Sequence, residues 1–172
     1  MEKYNVEQIF NMPFTTDEKK RAYPTALKVV RLLCIIYKYG ILALVDEVEN
    51  ETNFIKTIVG LIANGKDPSV LKNMLLQKWQ NADFTDMPRF DSTLLVKGLL
   101  LIYDMDMTPL KSVGVIGEFM GNGYTDRLCS HLPETIREID NENSKKEKLS
   151  ASAVDELLKQ FEINVVNFAQ LE

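Results

Sequence analysis

Apolar residues return every three or four positions along most of this chain, which is the period of an α-helix. Gly, Pro and Asn-Gly cut that pattern into segments. From Ala26 the positions Leu27, Val30, Leu33, Cys34, Tyr37 and Ile41 form one stripe, which Leu42, Leu44 and Val45 continue while Asp46, Glu47 and Glu49 face outward. Pro24 breaks or restarts the helix ahead of it, because proline has no N–H to donate. Gly40 falls inside this stripe, and close packing against another backbone is favoured there over a kink. In "NFIKTIVGLIANG", Asn53 is a candidate N-cap and Phe54, Ile58, Leu61 and Ile62 share a face. Asn64-Gly65 ends that helix with residues that tolerate a left-handed backbone. Asp67 then caps the next helix and Pro68 suits its first position. Val70, Leu71, Met74, Leu75 and Trp79 give it a stripe, so a helical hairpin turns at Asn64–Asp67.

The later segments follow suit. Asp91 or Ser92 is expected to cap "RFDSTLLVKGLLLIYDMDM", whose leucine density predicts a central helix buried on most sides. Pro109 starts another helix, and Gly121-Asn122-Gly123 reads as a turn. A short helix after Pro133 gives way to a polar, charge-mixed linker near 141–150, which would leave the last helix mobile. Ser150 or Ser152 caps that last helix, with Val154, Leu157, Leu158, Phe161, Val165 and Phe168 on its inner face. No segment alternates convincingly at the period of two that a half-buried strand needs. The expectation is an all-α chain: one domain over 1–172, a bundle of six or seven helices with helical hairpins.

A chain of 172 residues is long enough to bury a core. Its net charge of −5 and short basic runs, Lys19-Lys20-Arg21 and Lys145-Lys146, argue against nucleic acid, which calls for a concentrated basic surface. The longest apolar stretch, Val29 to Val45, carries Arg31 and Lys38, so no membrane span is expected. "MEKYNVEQIF" has no apolar signal core. Two distant cysteines, Cys34 and Cys129, do not establish an oxidising compartment. A cytoplasmic protein is expected.

Reaction chemistry is hard to find. Cys129 and the one histidine, His131, lie two apart, so on a helix they point to different sides, and no second cluster completes a metal site. The pairs Asp104/Asp106 and Glu47/Glu49 suit a loop and a solvated face better than an acid–base dyad. Gly114, Gly117 and Gly121 lack the spacing and lysine of a phosphate loop. Trp79 falls on an apolar stripe, a core position rather than a stacking platform. No cofactor, metal or catalytic residue is assigned.

One stretch does have a family likeness. Gly40-Ile41-Leu42-Ala43-Leu44, then Phe54 after an acidic run, then Asn64-Gly65-Lys66-Asp67-Pro68, with Leu71, Met74 and Leu75 beyond, is similar to the cytoplasmic loop of MotA, the flagellar stator subunit. In that family a Gly-Leu-Leu-Ala-Leu motif leads a helix and an Asp-Gly-x-Asp turn precedes the next. The likeness spans about a fifth of the chain. "GVIGEFMG", Gly114 to Gly121, also resembles the start of the membrane helix that follows the loop. There small residues let helices pack closely. Here Glu118 sits inside the motif, and Asn122, Thr125, Asp126 and Arg127 stand where lipid-facing residues are required. Those charges exclude a proton-conducting stator subunit. In the family, a basic residue before the glycine motif and an acid after it engage the rotor protein FliG. Tyr37 and Val45 stand at those positions, with Lys38 and Asp46 adjacent, which puts that electrostatic contact in doubt.

The likeness implies a non-catalytic helical module that contacts another protein, an adaptor or regulator in bacterial motility whose partners are motor components. The candidate face runs from Tyr37 to Glu49 together with the turn at Gly65. Its partner-binding residues are Lys38, Gly40, Asp46, Glu49, Gly65 and Asp67. The leucine-rich helices also leave room for a homodimer. The alternatives are an unrelated helical accessory or regulatory protein of phage, plasmid or toxin–antitoxin type, and a metal-dependent enzyme built on Asp104, Asp106, Cys129 and His131.

Overall fold

The computed structural model describes the backbone of residues 11–65, 67–85, 87–103 and 108–169, and the same residues' side chains except 148, 149, 154, 155 and 157–169. Lys66, Asp104, Asp106, the opening "MEKYNVEQIF" and the side chains of the last helix's expected inner face lie outside the described residues.

Among the described residues the protein is all-α. Its helices are α1 (Thr16–Arg21), α2 (Tyr23–Tyr39), α3 (Ala43–Glu47), α4 (Asn53–Ala63), α5 (Pro68–Gln80), α6 (Arg89–Leu100), α7 (Pro109–Met120) and α8 (Tyr124–Ala169), with a 3-10 turn at Leu101–Tyr103. By contact the chain divides into Met1–Pro133 and Glu134–Glu172. The second unit is helical backbone as far as Ala169. Residues 141–150, expected as a linker, are helical throughout. Their Glu and Lys residues are good helix formers even where no face is apolar. No helix among the described residues is long and apolar enough to cross a membrane.

Within the first unit α2 is the hub, packing on α3, α6 and α7. That explains an arc of burial wider than a single stripe, covering Ala26, Val29, Val30, Leu32, Leu33, Cys34 and Ile35. Helix α6 is flanked by α2 and α7 and also by α4 and α5. Phe90 through Val96 are all buried, so the expected central helix is present. Each fully buried leucine such as Leu94 or Leu95 contributes about 1.5–3 kcal/mol. Gly98 lets α2 and α6 touch: a Cβ there would stand 2.2 Å from Val29 Cγ1. Trp79 is core, 1% exposed, and its indole N–H donates to Thr93 Oγ1 at 3.0 Å, tying α5 to α6.

Local chemistry sets the helix ends. Thr15 and Glu18 form a reciprocal capping box at α1. Pro24 sits in the first turn of α2, restarting the helix after Ala22. Thr52, not Asn53, caps α4 by accepting the Ile55 N–H. Asp67 caps α5 as expected, accepting from the N–H groups of Ser69 and Val70. Asp91 and Ser92 do not cap α6; Pro88 precedes it and both lie buried inside it. Asp91 instead accepts the Thr25 hydroxyl at 2.6 Å, from α2. Val70, expected in the core, is exposed, because α5 turns Leu71, Leu75 and Trp79 inward.

Candidate functional site

Gly40 terminates α2, its N–H donating to the Ile36 carbonyl, with φ +84°. Nothing lies within 4 Å of a Cβ built there, so the expected close packing is absent. The glycine is needed for its backbone, since a side chain is strained at positive φ. By reversing the chain, Gly40 also resets the apolar phase. The segment after it runs back along α2: Glu47 accepts from Arg31 Nε at 2.5 Å and Glu51 from Lys28 Nζ at 2.6 Å. Both pairs are partly buried, and such pairs contribute up to about 1 kcal/mol each.

The reversal buries Leu44 and turns its neighbours out. Leu42 is 71% exposed, Val45 51% and Tyr37 65%, although all three continue the sequence stripe. Leu42 and Val45 are three apart on one helical turn, so they share a face. Tyr37 lines a cleft of about 90 Å³ with Leu33, Ile36, Ile102, Pro109 and Ser112, between the end of α2 and the start of α7. Leu110, 62% exposed, follows Pro109. The end of the bundle around Tyr37–Val45 therefore presents large apolar side chains to solvent.

The six sequence-picked residues fall in two places. Lys38, Gly40, Asp46 and Glu49 are all exposed, the first two at the end of α2 and the last two on the segment that runs back along it, and the Lys38 ammonium lies 5.9 Å from the Tyr39 ring centre. Gly65, at φ +62°, and Asp67 form the α4–α5 turn. The 11 residues of α4 separate them from Glu49, about 16 Å at 1.5 Å per residue. The Asp67 carboxyl is held below its ordinary pKa by the Ser69 hydroxyl, then by the N–H groups of Ser69 and Val70. That is a capping role, and the structure does not join the turn to the Tyr37–Glu49 end.

A larger cleft, about 260 Å³, opens between the first turn of α4 and the connection from α5 to α6. Phe54, Phe84 and Met87 are its apolar walls, and Lys78 and Asp83 also line it. The sequence reading missed this site, which forms only when α4 meets the α5–α6 connection. The one local signal was the turn-rich "NADFTDMP".

Cys129 and His131 share α8, and the imidazole stands edge-on to Tyr23 at 6.2 Å. Among the described residues no three of His, Cys, Asp and Glu gather as they would around a metal ion. Cys34 is buried, and burial pushes its thiol up to about 11. No known protein-family model, curated protein or solved structure matches the chain.

Proposed function

We propose that this chain is a non-catalytic interaction module of the bacterial cytoplasm, related to the MotA cytoplasmic loop and acting as an adaptor or regulator in motility. The observation that carries this reading is the exposure of Tyr37, Leu42 and Val45 at the end of α2 and α3. Clustered apolar surface next to charged residues is the usual composition of a protein-docking patch. Leu42 and Val45 supply the apolar anchor, and Lys38, Asp46 and Glu49 the polar rim. The partly buried pairs Arg31–Glu47 and Lys28–Glu51 fix the backbone that presents them. The same surface can close on a second copy of the chain as a homodimer.

A pull-down of purified stator loops and rotor protein at micromolar concentration tests the reading. Retention by the wild type and its loss in Leu42→Asp support it. No retention of any motor component removes the motility assignment.

A further inference from the structure

Phe84 has φ +58°, a left-handed backbone that bulky residues avoid at a cost of about 1–2 kcal/mol. Its ring is held in place by Trp79, edge-on at 5.4 Å, and by the Arg89 guanidinium, which lies 5.8 Å from Phe84 and 5.3 Å from Trp79. The strained conformation sets that ring in the wall of the 260 Å³ cleft. Strain of this kind is kept where a side chain is wanted in one place.

The lining is neither a plain apolar groove nor a single-sign patch. Phe54, Phe84 and Met87 are the apolar part of the lining, and Lys78 and Asp83, both solvent-exposed, add one positive and one negative side chain to it. Asn53 and Asn81 add two carboxamides, each able to donate and accept. Asp83 is locked in orientation: the Thr85 N–H and hydroxyl donate to its Oδ1 at 3.0 and 2.9 Å. A ligand complementary to this set carries both a cation and an anion on a short apolar body. At about 30 Å³ per water-sized group, the volume holds roughly nine non-hydrogen atoms.

We propose that the cleft binds a free apolar α-amino acid as its zwitterion. The carboxylate faces Lys78, the ammonium faces Asp83, and the side chain lies against Phe54, Phe84 and Met87. This site is separate from the Tyr37–Val45 surface and stands or falls independently of the motility reading.

Calorimetric or NMR titration of the full chain with leucine and valine tests it. Saturable binding with a Kd on the order of 1 mM or tighter is expected for so small a ligand. The deaminated acid and the decarboxylated amine of leucine should each bind at least about tenfold more weakly, as should leucine to Lys78→Gln and to Asp83→Asn, because each loses a charged hydrogen bond. No saturable binding of either amino acid to the wild type overturns the proposal. So does binding of either truncated analogue as tightly as leucine, a comparison that needs no variant to fold.

Discussion

Thr125 lies so close to Gly117 that a methyl group on the glycine would stand 2.5 Å from Thr125 Cα and 2.7 Å from its backbone nitrogen. Helix α7 meets the start of α8 through bare backbone, closed by a turn in which Gly121 and Gly123 both have positive φ. Small residues do here what they do in membrane bundles, but between helices carrying Glu118 and Asp126.

Gly117→Ala should therefore destabilise by about 3 kcal/mol, the upper end for overpacking, because the clash is with main chain that cannot rotate away. Gly114, on the same helix, has open space around it. Gly114→Ala should instead stabilise by about 0.5–1 kcal/mol through helix propensity. Urea unfolding of both variants checks this; equal effects would contradict it.

Thr25 reaches from α2 to a side chain that is 6% exposed: Asp91 Oδ1 accepts its hydroxyl, while Oδ2 is buried with no protein partner among the described residues. Thr25→Val keeps the shape and deletes the donor. It should cost about 1–3 kcal/mol, the range for leaving a buried polar group without its hydrogen bond, and Thr25→Ser should recover most of it. Chemical denaturation measures both.

The two thiols should differ sharply. Cys34 is buried and held protonated, whereas Cys129 is half-buried. In native protein at pH 8 a thiol reagent should label Cys129, and Cys34 only on unfolding. Burial raises the Cys34 thiol from 9.0 to about 11, so the folded state resists losing this proton. The stability it supports is whole below pH 9 and is lost as pH rises toward 11. Cys34→Ala should flatten that alkaline decline. Simultaneous labelling of both thiols in the native state would contradict the packing of α2.

In acid the sign reverses. Glu18, Asp67 and Asp83 all titrate below their ordinary values, through hydrogen bonds from Thr15, Ser69 and Thr85 respectively. The unfolded chain binds those protons first, so the stability is present above about pH 4 and fades as pH falls through the folded values. Asp67→Asn retains the N-cap but does not titrate, so its stability should decline less steeply between pH 5 and 3, both about the carboxylate range. Parallel curves for variant and wild type would show that the cap carries no charge dependence.

The parts of the fold written in short-range chemistry were legible in the sequence. Asp67-Pro68 as a helix start, the Gly121–Gly123 turn and the leucine-dense α6 need only their own neighbours to be understood. Gly40 was misread because one periodic stripe continues across it; only the chain reversal, pinned by Arg31–Glu47 and Lys28–Glu51, decides that Leu44 goes in while Leu42 and Val45 stay out. The stretch 141–150 looked like a linker because it lacks an apolar face, yet Glu and Lys support a helix without one. The exposed surface at Tyr37–Val45 lies in the Tyr37–Glu49 stretch that the sequence reading picks out. Its apolar character was not legible, and neither was the cleft beside Phe84, which three separate segments build.

The most direct measurement is a binding titration of wild-type protein and Leu42→Asp, followed by sedimentation velocity, against purified stator loop, rotor protein and the chain itself. The wild type should associate with one of these at micromolar concentration. Leu42→Asp should weaken that association about 10–100-fold, the equivalent of about 1.5–3 kcal/mol for one buried leucine, with an unchanged melting temperature. Association that is indifferent to Leu42→Asp, or no association with any of the three, would contradict a docking role for the Tyr37–Val45 surface.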